Sequence, residues 1–269
     1  KWELIMNYNI IKNTIYEISK QNINNSTEEI LNINEYKFYK KTTALMIASY
    51  FGLNDMVKEL IENKADINAQ DINGKSAVFF AIENDNIETL NMLIDNKVNI
   101  NIQDNKGITP LIWASGNGKT EAVKILLKNK ADINIKNTYG EKAIIWASKK
   151  DNPEILKILI ENGADINETD EDNCSCTIWA AYNNLVDNMK VLIENGANIN
   201  AKNSDGNNPV MLAAECGSAE VLKVLLENGA DLYEKDKYGT TALMWAEMLN
   251  EKECVEILNH YINKGDYIK

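Results

Sequence analysis

The chain contains 269 residues, and its 28 basic and 40 acidic side chains give it a net charge of −12. A negative charge opposes binding to a nucleic-acid backbone and to anionic membrane surfaces. No stretch of the sequence approaches the roughly 20 consecutive apolar residues that a membrane-spanning helix needs. We therefore expect no nucleic-acid partner and no insertion into a membrane.

The first segment, residues 1–38, is predicted to be an N-terminal helical cap or a degenerate repeat. Ile11, Ile15 and Ile18 form an apolar stripe at helical spacing. Ser26 to Glu29 has the form of a capping box ahead of Ile30. Because arrays of repeats need terminal units with one polar face, we favour a cap over a separate functional module.

From residue 39 to residue 262, one pattern recurs seven times with a period of 33 residues. An uninterrupted alanine column marks it: Ala48, Ala81, Ala114, Ala147, Ala180, Ala213 and Ala246. A fixed period near 33 is typical of stacked units that contact mainly their neighbours. We therefore predict an all-α repeat solenoid. Its units cover about 39–70, 71–103, 104–136, 137–169, 170–202, 203–235 and 236–262, with a C-terminal tail at 263–269.

Each unit is predicted to contain two helices. In the third unit a short apolar helix covers Pro110 to Ser115, and Val123, Leu126 and Leu127 lie on one face of a longer helix. The alanine column lets the helices approach closely. A bulky column directly before it fills the remaining space: Ile47, Phe80, Trp113, Trp146, Trp179, Leu212 and Trp245. For its four tryptophans we favour packing over an exposed aromatic platform.

Polar turns with left-handed residues separate the helices. The turn between successive units is predicted to be hairpin-like and to close at Gly74, Gly107, Gly140, Asn173, Gly206 and Gly239. A second left-handed position follows the longer helix, at Gly163, Gly196 and Gly229. The first three units carry Lys64, Lys97 and Lys130 there. Each lysine costs about 1 kcal/mol if its backbone is left-handed.

These columns resemble the ankyrin-repeat family. Asp104 to Ala114 follows the family pattern D-x-x-G-x-T-P-L-H-x-A, and Asn195 to Asn200 follows its closing x-G-A-D-x-N. The resemblance implies helix-turn-helix units that are joined by β-hairpin-like turns and that bind other proteins. The usual histidine is replaced by Met46, Phe79, Ile112, Ile145, Ile178, Met211 and Met244. We therefore expect hydrophobic burial in place of its hydrogen bonds.

Motifs for catalysis, cofactors and metals fail when they are placed in register. Gly116 to Thr120 ends like a phosphate-binding loop, but it follows a helix, and Trp113 stands where the first glycine is required. His260 has no accompanying nucleophile or carboxylate arrangement. We expect reduced cysteines, which suit the cytoplasm, in preference to a metal site at Cys174 and Cys176. We predict no enzyme activity, no cofactor and no bound metal.

The positions that vary between units while the frame stays fixed are the candidates for binding. In stacks of this kind the turn tips and the ends of the first helices form a concave surface, so the resemblance implies a protein partner there. The predicted site residues are Tyr50, Phe51, Glu83, Asn117, Tyr139, Lys149, Lys150, Tyr182, Asn183 and Tyr238. Aromatic residues are enriched in interface cores. We therefore expect the hot spot at Tyr139, Lys149, Lys150 and Tyr182.

These observations favour a monomeric, non-catalytic interaction module that acts as an adaptor, a scaffold or an inhibitor. The alternative is a host-directed effector or toxin-like protein, secreted or exported, whose array targets an activity elsewhere in a longer gene product. We favour the interaction module, because the 38 residues ahead of the repeats are too few for most catalytic domains.

Overall fold

The computed structural model describes Asn13, the backbone of residues 31–33 and 36–38, and residues 41–265. Two strands, β1 (Leu31–Ile33) and β2 (Tyr36–Phe38), form an antiparallel hairpin ahead of the repeats. The predicted stripe at Ile11, Ile15 and Ile18 and the predicted capping box lie outside the described residues. The N-terminal cap therefore stays a prediction.

Fourteen helices follow within the described residues, as seven consecutive pairs. They are α1 (Ala44–Phe51), α2 (Asn54–Glu62), α3 (Ala77–Glu83), α4 (Ile87–Asp95), α5 (Pro110–Gly116), α6 (Thr120–Lys128), α7 (Ala143–Ser148), α8 (Pro153–Glu161), α9 (Cys176–Tyr182), α10 (Val186–Glu194), α11 (Pro209–Glu215), α12 (Ala219–Glu227), α13 (Ala242–Leu249) and α14 (Lys252–Lys264). The first helix of each pair is the shorter one. This confirms the all-α repeat class.

The chain forms two compact bodies. The first contains the described residues up to Ala114 together with Lys119–Asp132, and the second contains Ser115–Gly118 and the described residues from Ile133 onward. In both, the core consists of the alanine column and of a leucine column on the second helices: Leu60, Leu93 and Leu126 in the first body, and Leu159, Leu192, Leu225 and Leu258 in the second. The seven alanines are fully buried. This burial explains why the period tolerates no insertion.

The hairpin-like turns between units are held by one aspartate or asparagine each. Its Oδ1 atom accepts the backbone N–H groups two and four residues later, which fixes the turn without a strand ladder. These residues are Asp71, Asp104, Asn137, Asp170, Asn203 and Asp236. The predicted left-handed residues of these turns, from Gly74 to Gly239, all have positive φ. That prediction is confirmed.

The second helices of the first six units end in the same way. In the first six units an asparagine lies one residue past the helix, and its Nδ2 group donates to the carbonyl four residues earlier: Asn63, Asn96, Asn129, Asn162, Asn195 and Asn228. The next residue is left-handed. Lys64, Lys97 and Lys130 have φ of 66°, 65° and 65° at this position. The left-handed backbone predicted for the three lysines is therefore confirmed.

A second set of asparagines joins neighbouring units through backbone atoms. In the first body, Asn68 Oδ1 accepts the N–H of Asn99 at 2.7 Å. In the second body, Asn167 Oδ1 accepts the N–H of Asn198 at 2.8 Å, and Asn200 repeats the bond one period later. These bonds fix the spacing of the units inside each body.

The bulky column differs from the prediction in its degree of burial. Ile47, Phe80 and Leu212 are buried, whereas the four tryptophans are only partly buried. The indole is the largest side chain in this column, and part of it remains accessible at the surface. The position of the missing histidine is fully apolar and buried in the first six units, from Met46 to Met211. In the last pair, Met244 is 49% exposed.

Candidate partner-binding surface

Two sets of positions in the repeat are exposed or only partly buried, and we call them the variable positions. One is the tip of each hairpin-like turn, which carries Ile72, Tyr139 and Tyr238 among others. The other is the pair of residues that ends each first helix. The first member of that pair is Tyr50, Glu83, Gly116, Lys149, Tyr182, Glu215 or Met248, and the second is Phe51, Asn84, Asn117, Lys150, Asn183, Cys216 or Leu249.

In the first body the predicted aromatic residues pack on each other. The rings of Tyr50 and Phe51 lie edge to face with centroids 5.2 Å apart, and Tyr50 also contacts Phe80 at 6.5 Å. Both side chains are partly buried. The carbonyl of Tyr50 accepts a hydrogen bond from Asn84 at 2.8 Å. These two residues therefore present a packed aromatic edge.

The remaining predicted residue of the first body, Glu83, is exposed at the end of α3. Its carboxylate lies 3.7 Å from the Nζ atom of Lys75. The same ammonium stands 3.7 Å above the ring centroid of Trp113. A cation over an indole face in this way is an attractive contact. Glu83 thus belongs to a charged group beside the tryptophan column.

In the second body, a buried glutamate forms the centre of a polar network. Glu141 follows the turn tip and is only 7% exposed. Its carboxylate accepts hydrogen bonds from Asn137 Nδ2 at 2.6 Å, from Trp146 Nε1 at 2.7 Å, and from Lys149. The ammonium of Lys149 also stands 3.8 Å over the ring centroid of Trp179. One lysine therefore connects two neighbouring units.

The ionisation of Glu141 reflects this network. Burial by itself raises the pKa of the Glu141 carboxyl, because it removes water from the charged form. The hydrogen bonds from Lys149, Asn137 and Trp146, together with the positive charge of Lys149, outweigh that effect and hold the pKa below its ordinary value of 4.5. The carboxylate is therefore charged at neutral pH, and it keeps Lys149 in place.

This network changes the role of one predicted hot-spot residue. We expected Lys149 to belong to the binding hot spot, but only 25% of its side chain is exposed, and its charge is paired with Glu141. Tyr182 is 51% exposed and meets Trp179 edge to face at 6.0 Å. Lys149 and Tyr182 thus both contact Trp179, and this role of the tryptophan was not indicated by the sequence.

The other predicted residues of the second body are exposed and belong to different positions. Tyr139 lies at its turn tip, is 56% exposed, and accepts the N–H of Glu171 at its carbonyl, 3.3 Å away. Asn117 and Lys150 are exposed next to the first-helix ends. Asn183, also exposed, donates to the carbonyl of Trp179 at 2.9 Å. Tyr238, at the last turn tip, is 82% exposed.

The outer surface of the second helices has a different character. Lys157 and Lys190 are exposed there, and Lys190 pairs with Asp187 one turn away at 3.2 Å. Most large apolar side chains that are exposed lie instead at the variable positions: Ile72, Tyr139, Tyr182, Tyr238, Met248 and Leu249. The effects of substitutions on these two surfaces can therefore be compared in a binding experiment.

The motifs that we rejected as nucleotide-binding, catalytic or metal-binding sites have ordinary places in the structure. Gly118 is left-handed in the turn between α5 and α6, and Lys119 pairs with Asp85 at 2.6 Å. His260 is an exposed residue of α14. Burial raises the pKa of the Cys174 thiol to about 12, and the carboxylates of Asp170 and Asp172 act in the same direction. A neutral thiol is a poor metal ligand.

No group of three or more His, Cys, Asp or Glu side chains in the described part of the chain could hold a metal ion. None of the helices between residues 41 and 265 is long and apolar enough to cross a membrane.

Sequence reasoning missed the polar residues that organise this surface. The turn aspartates and asparagines recur every 33 residues and were visible in the sequence. Glu141 was not, because it has no counterpart in the other units. Its neighbours Trp146 and Lys149 show its role only in three dimensions.

Comparison with known families agrees with the repeat pattern. The family model of ankyrin repeats, built from three copies, matches residues 6–104, 81–170 and 177–267. These ranges cover most of the sequence and begin ahead of the first regular unit. A search of curated proteins found no match to the chain. The extent of the family match, together with the seven helix pairs, shows that the chain belongs to the ankyrin-repeat family.

Proposed function

We propose that this chain is a non-catalytic adaptor, scaffold or inhibitor that holds a protein partner on its variable positions. Ankyrin repeats are in general protein–protein interaction modules. The observation that supports the choice of surface is the distribution of exposed apolar side chains. Tyr139, Tyr182 and Tyr238 are all more than half exposed, and aromatic side chains at a desolvated interface supply much of its binding energy.

Within the second body, Tyr182 is the best single anchor. Its ring rests against Trp179, whose face is fixed by Lys149 and whose Nε1 group donates to Asp170 at 2.9 Å. A ring that is held in one place loses little conformational entropy on binding. Lys149 itself acts as a support for the aromatic residues, since its charge is already paired.

The experiment compares the variable positions with the outer surface of the second helices. Wild type, Tyr182→Ala and Lys190→Ala are used as bait for affinity capture, and a photo-crosslinking residue is placed at position 182 or at position 190. We expect Tyr182→Ala to weaken capture by about 1–3 kcal/mol, as for an interface anchor, and the crosslink to form from position 182. Lys190→Ala is the matched control and should capture the partner normally.

The proposal is contradicted if crosslinks form only from position 190, or if both tyrosine variants capture the partner normally. If crosslinks form only from position 190, the partner binds the backs of the second helices. If Tyr182→Ala loses its helical circular-dichroism signal, the comparison moves to Tyr238→Ala, whose side chain is 82% exposed. Normal capture by both tyrosine variants would then exclude these anchors.

A further inference from the structure

The contact between Lys149 and Trp179 has a counterpart two units along the chain in which the cation is missing. Two periods of 33 residues take Lys149 to Glu215 and Trp179 to Trp245. The two indoles are held in the same way. Each Nε1 group donates to the turn aspartate of its own unit, at 2.9 Å and 3.1 Å respectively. The register therefore puts Glu215, an acidic residue, at the position from which Lys149 reaches the tryptophan of the next unit.

The acceptor of this network has also lost its donors. Two periods take Glu141 to Asn207 and Trp146 to Leu212. Glu141 receives hydrogen bonds from Trp146 and Lys149, but neither leucine nor glutamate offers an N–H group from its side chain. Accordingly, Asn207 Oδ1 is buried and has no hydrogen-bond partner among the described residues. A buried acceptor without a donor is unfavourable and calls for an explanation.

The charge of Glu215 is likewise uncompensated. It ends α11, and no ion pair reaches it from any lysine in the described part of the chain. Burial raises the pKa of its carboxyl. In the equivalent place of the earlier unit, Lys149 supplies the positive charge. By register, Glu215 and Asn207 therefore occupy the places of Lys149 and Glu141, and the cation of the earlier unit is absent.

Exposed apolar side chains lie around the same position. Met248 stands two periods after Tyr182 and is 61% exposed, and its neighbour Leu249 is 48% exposed. Both residues end α13, the helix that carries Trp245. Apolar side chains next to a partly buried charge suit a long cationic side chain, because they cover its aliphatic stem while its charged end is paired.

We propose that Glu215 and Trp245, which we call the Trp245 site, bind an arginine side chain of the protein partner. The guanidinium stacks on the indole and pairs with the Glu215 carboxylate. Arginine fits better than lysine, because its planar group has five donors and stacks on aromatic rings. This inference rests on the proposed function, since it names the chemistry of one anchor of the partner.

The first test uses a synthetic peptide, acetyl-Gly-Leu-Arg-Leu-Gly-amide, and a matched peptide in which neutral citrulline replaces arginine. The indole N–H signals of ¹⁵N-labelled protein are followed by NMR. We expect the Trp245 signal to shift in a saturable way with the arginine peptide, and the citrulline peptide to bind about tenfold more weakly, as for the loss of a charge-assisted contact. The signals of Trp146 and Trp179 should move little.

Variants of the protein separate this site from general attraction to an acidic surface. Glu215→Gln should weaken the arginine peptide about tenfold. Glu220→Gln, an exposed carboxyl of α12, is the matched control and should bind normally. Glu215→Lys supplies the missing ammonium from within the chain. It should therefore raise the melting temperature and abolish the shift of Trp245.

The site is rejected if both peptides bind equally, if all indole signals shift together, or if Glu220→Gln weakens binding as much as Glu215→Gln. Such a result leaves the proposed function standing when Tyr182→Ala still weakens partner capture. Conversely, crosslinking only from position 190 excludes the variable positions as the partner-binding surface, even if the peptide binds at the Trp245 site.

Discussion

The two carboxylate oxygens of Asp170 have separate tasks, and one of them holds the indole of Trp179. Oδ2 accepts the Nε1 hydrogen of Trp179 at 2.9 Å. Oδ1 accepts the backbone N–H groups of Asp172 and Cys174 at 3.1 Å and 2.8 Å. One side chain therefore fixes both the turn and the tryptophan of its unit.

This relationship predicts a graded response to substitution. Asp170→Ala removes three hydrogen bonds to a charged acceptor and should lower the free energy of unfolding by about 2–4 kcal/mol. Asp170→Asn keeps an oxygen for the turn but loses the acceptor for Trp179, so it should cost about half as much. Urea unfolding of the two variants measures the difference.

A compensating change can be read from the preceding unit, where Asn137 and Glu141 share these tasks. Cys174 occupies the position of Glu141, one period later. In the Asp170→Asn background, Cys174→Glu should therefore recover part of the lost stability, whereas Cys174→Leu should not. Equal effects of glutamate and leucine would contradict this account of the network.

The left-handed lysines predict a gain of stability from glycine. Lys97 has φ of 65° where later units have glycine. Lys97→Gly should therefore stabilise the chain by up to about 1 kcal/mol, because glycine enters this region without the Cβ clash. The reverse change, Gly163→Lys, should destabilise by a similar amount, since no atom outside the adjoining residues lies within 4 Å of its Cβ position. Thermal unfolding of both variants checks the sign.

The lowered pKa of Glu141 predicts how stability depends on pH. A group whose pKa is lower in the folded state contributes stability above its unfolded value, and that contribution is lost as the pH falls through the folded value. Glu141→Gln should therefore cost about 1.5–3 kcal/mol at pH 7, as for hydrogen bonds to a charged group. The difference from wild type should shrink as the pH falls below the ordinary value of 4.5.

Chemical denaturation of wild type and Glu141→Gln between pH 7 and pH 3 measures this effect. Glu194→Gln, an exposed carboxyl at the end of α10, is the control and should unfold like wild type at pH 7. A gap between wild type and Glu141→Gln that stays constant over the whole range would show that the charge of Glu141 contributes nothing.

The contact between Gly116 and Trp146 predicts a strong steric effect of one methyl group. A Cβ at Gly116 would overlap the Trp146 ring, and Gly116 does not have a positive φ. Gly116→Ala should therefore cost about 1–3 kcal/mol through overpacking alone. Trp146→Ala should cost about 3 kcal/mol, at the lower end for a tryptophan because the ring is only partly buried.

The two changes should not be additive, because the smaller side chain makes room for the methyl group. In the Trp146→Ala background, Gly116→Ala should cost little. A double-mutant cycle by urea unfolding gives the coupling energy. Full additivity would mean that the overlap is relieved elsewhere.

The period of the sequence predicts the helices, the turns and even the strained lysines, because each depends on a residue type at a fixed position of the repeat. Lys97 illustrates this, because glycine at the equivalent position of later units indicates a left-handed backbone there. The network at Glu141 could not be predicted in this way. It joins residues from several different positions of the repeat, and only one unit contains all of them.

The partial exposure of the tryptophans was missed for a related reason. Ile47, Phe80 and Leu212 share their column and are buried, so the column as a whole indicated packing. How far Trp179 reaches the surface depends on Lys149 and Asp170, which lie near it only after folding. The candidate binding residues could be predicted because they occupy variable positions. The residues that hold them in place could not.

The bonds from Asn68, Asn167 and Asn200 reach backbone N–H groups of the next unit. Every residue except proline carries that group, so the bond does not depend on which side chain stands beside it. This hydrogen bond between units therefore forms whatever residue occupies the neighbouring position. Substitutions at Tyr182 or Met248 can therefore change what the protein recognises without breaking these bonds. Binding specificity can diverge while the repeat scaffold stays the same.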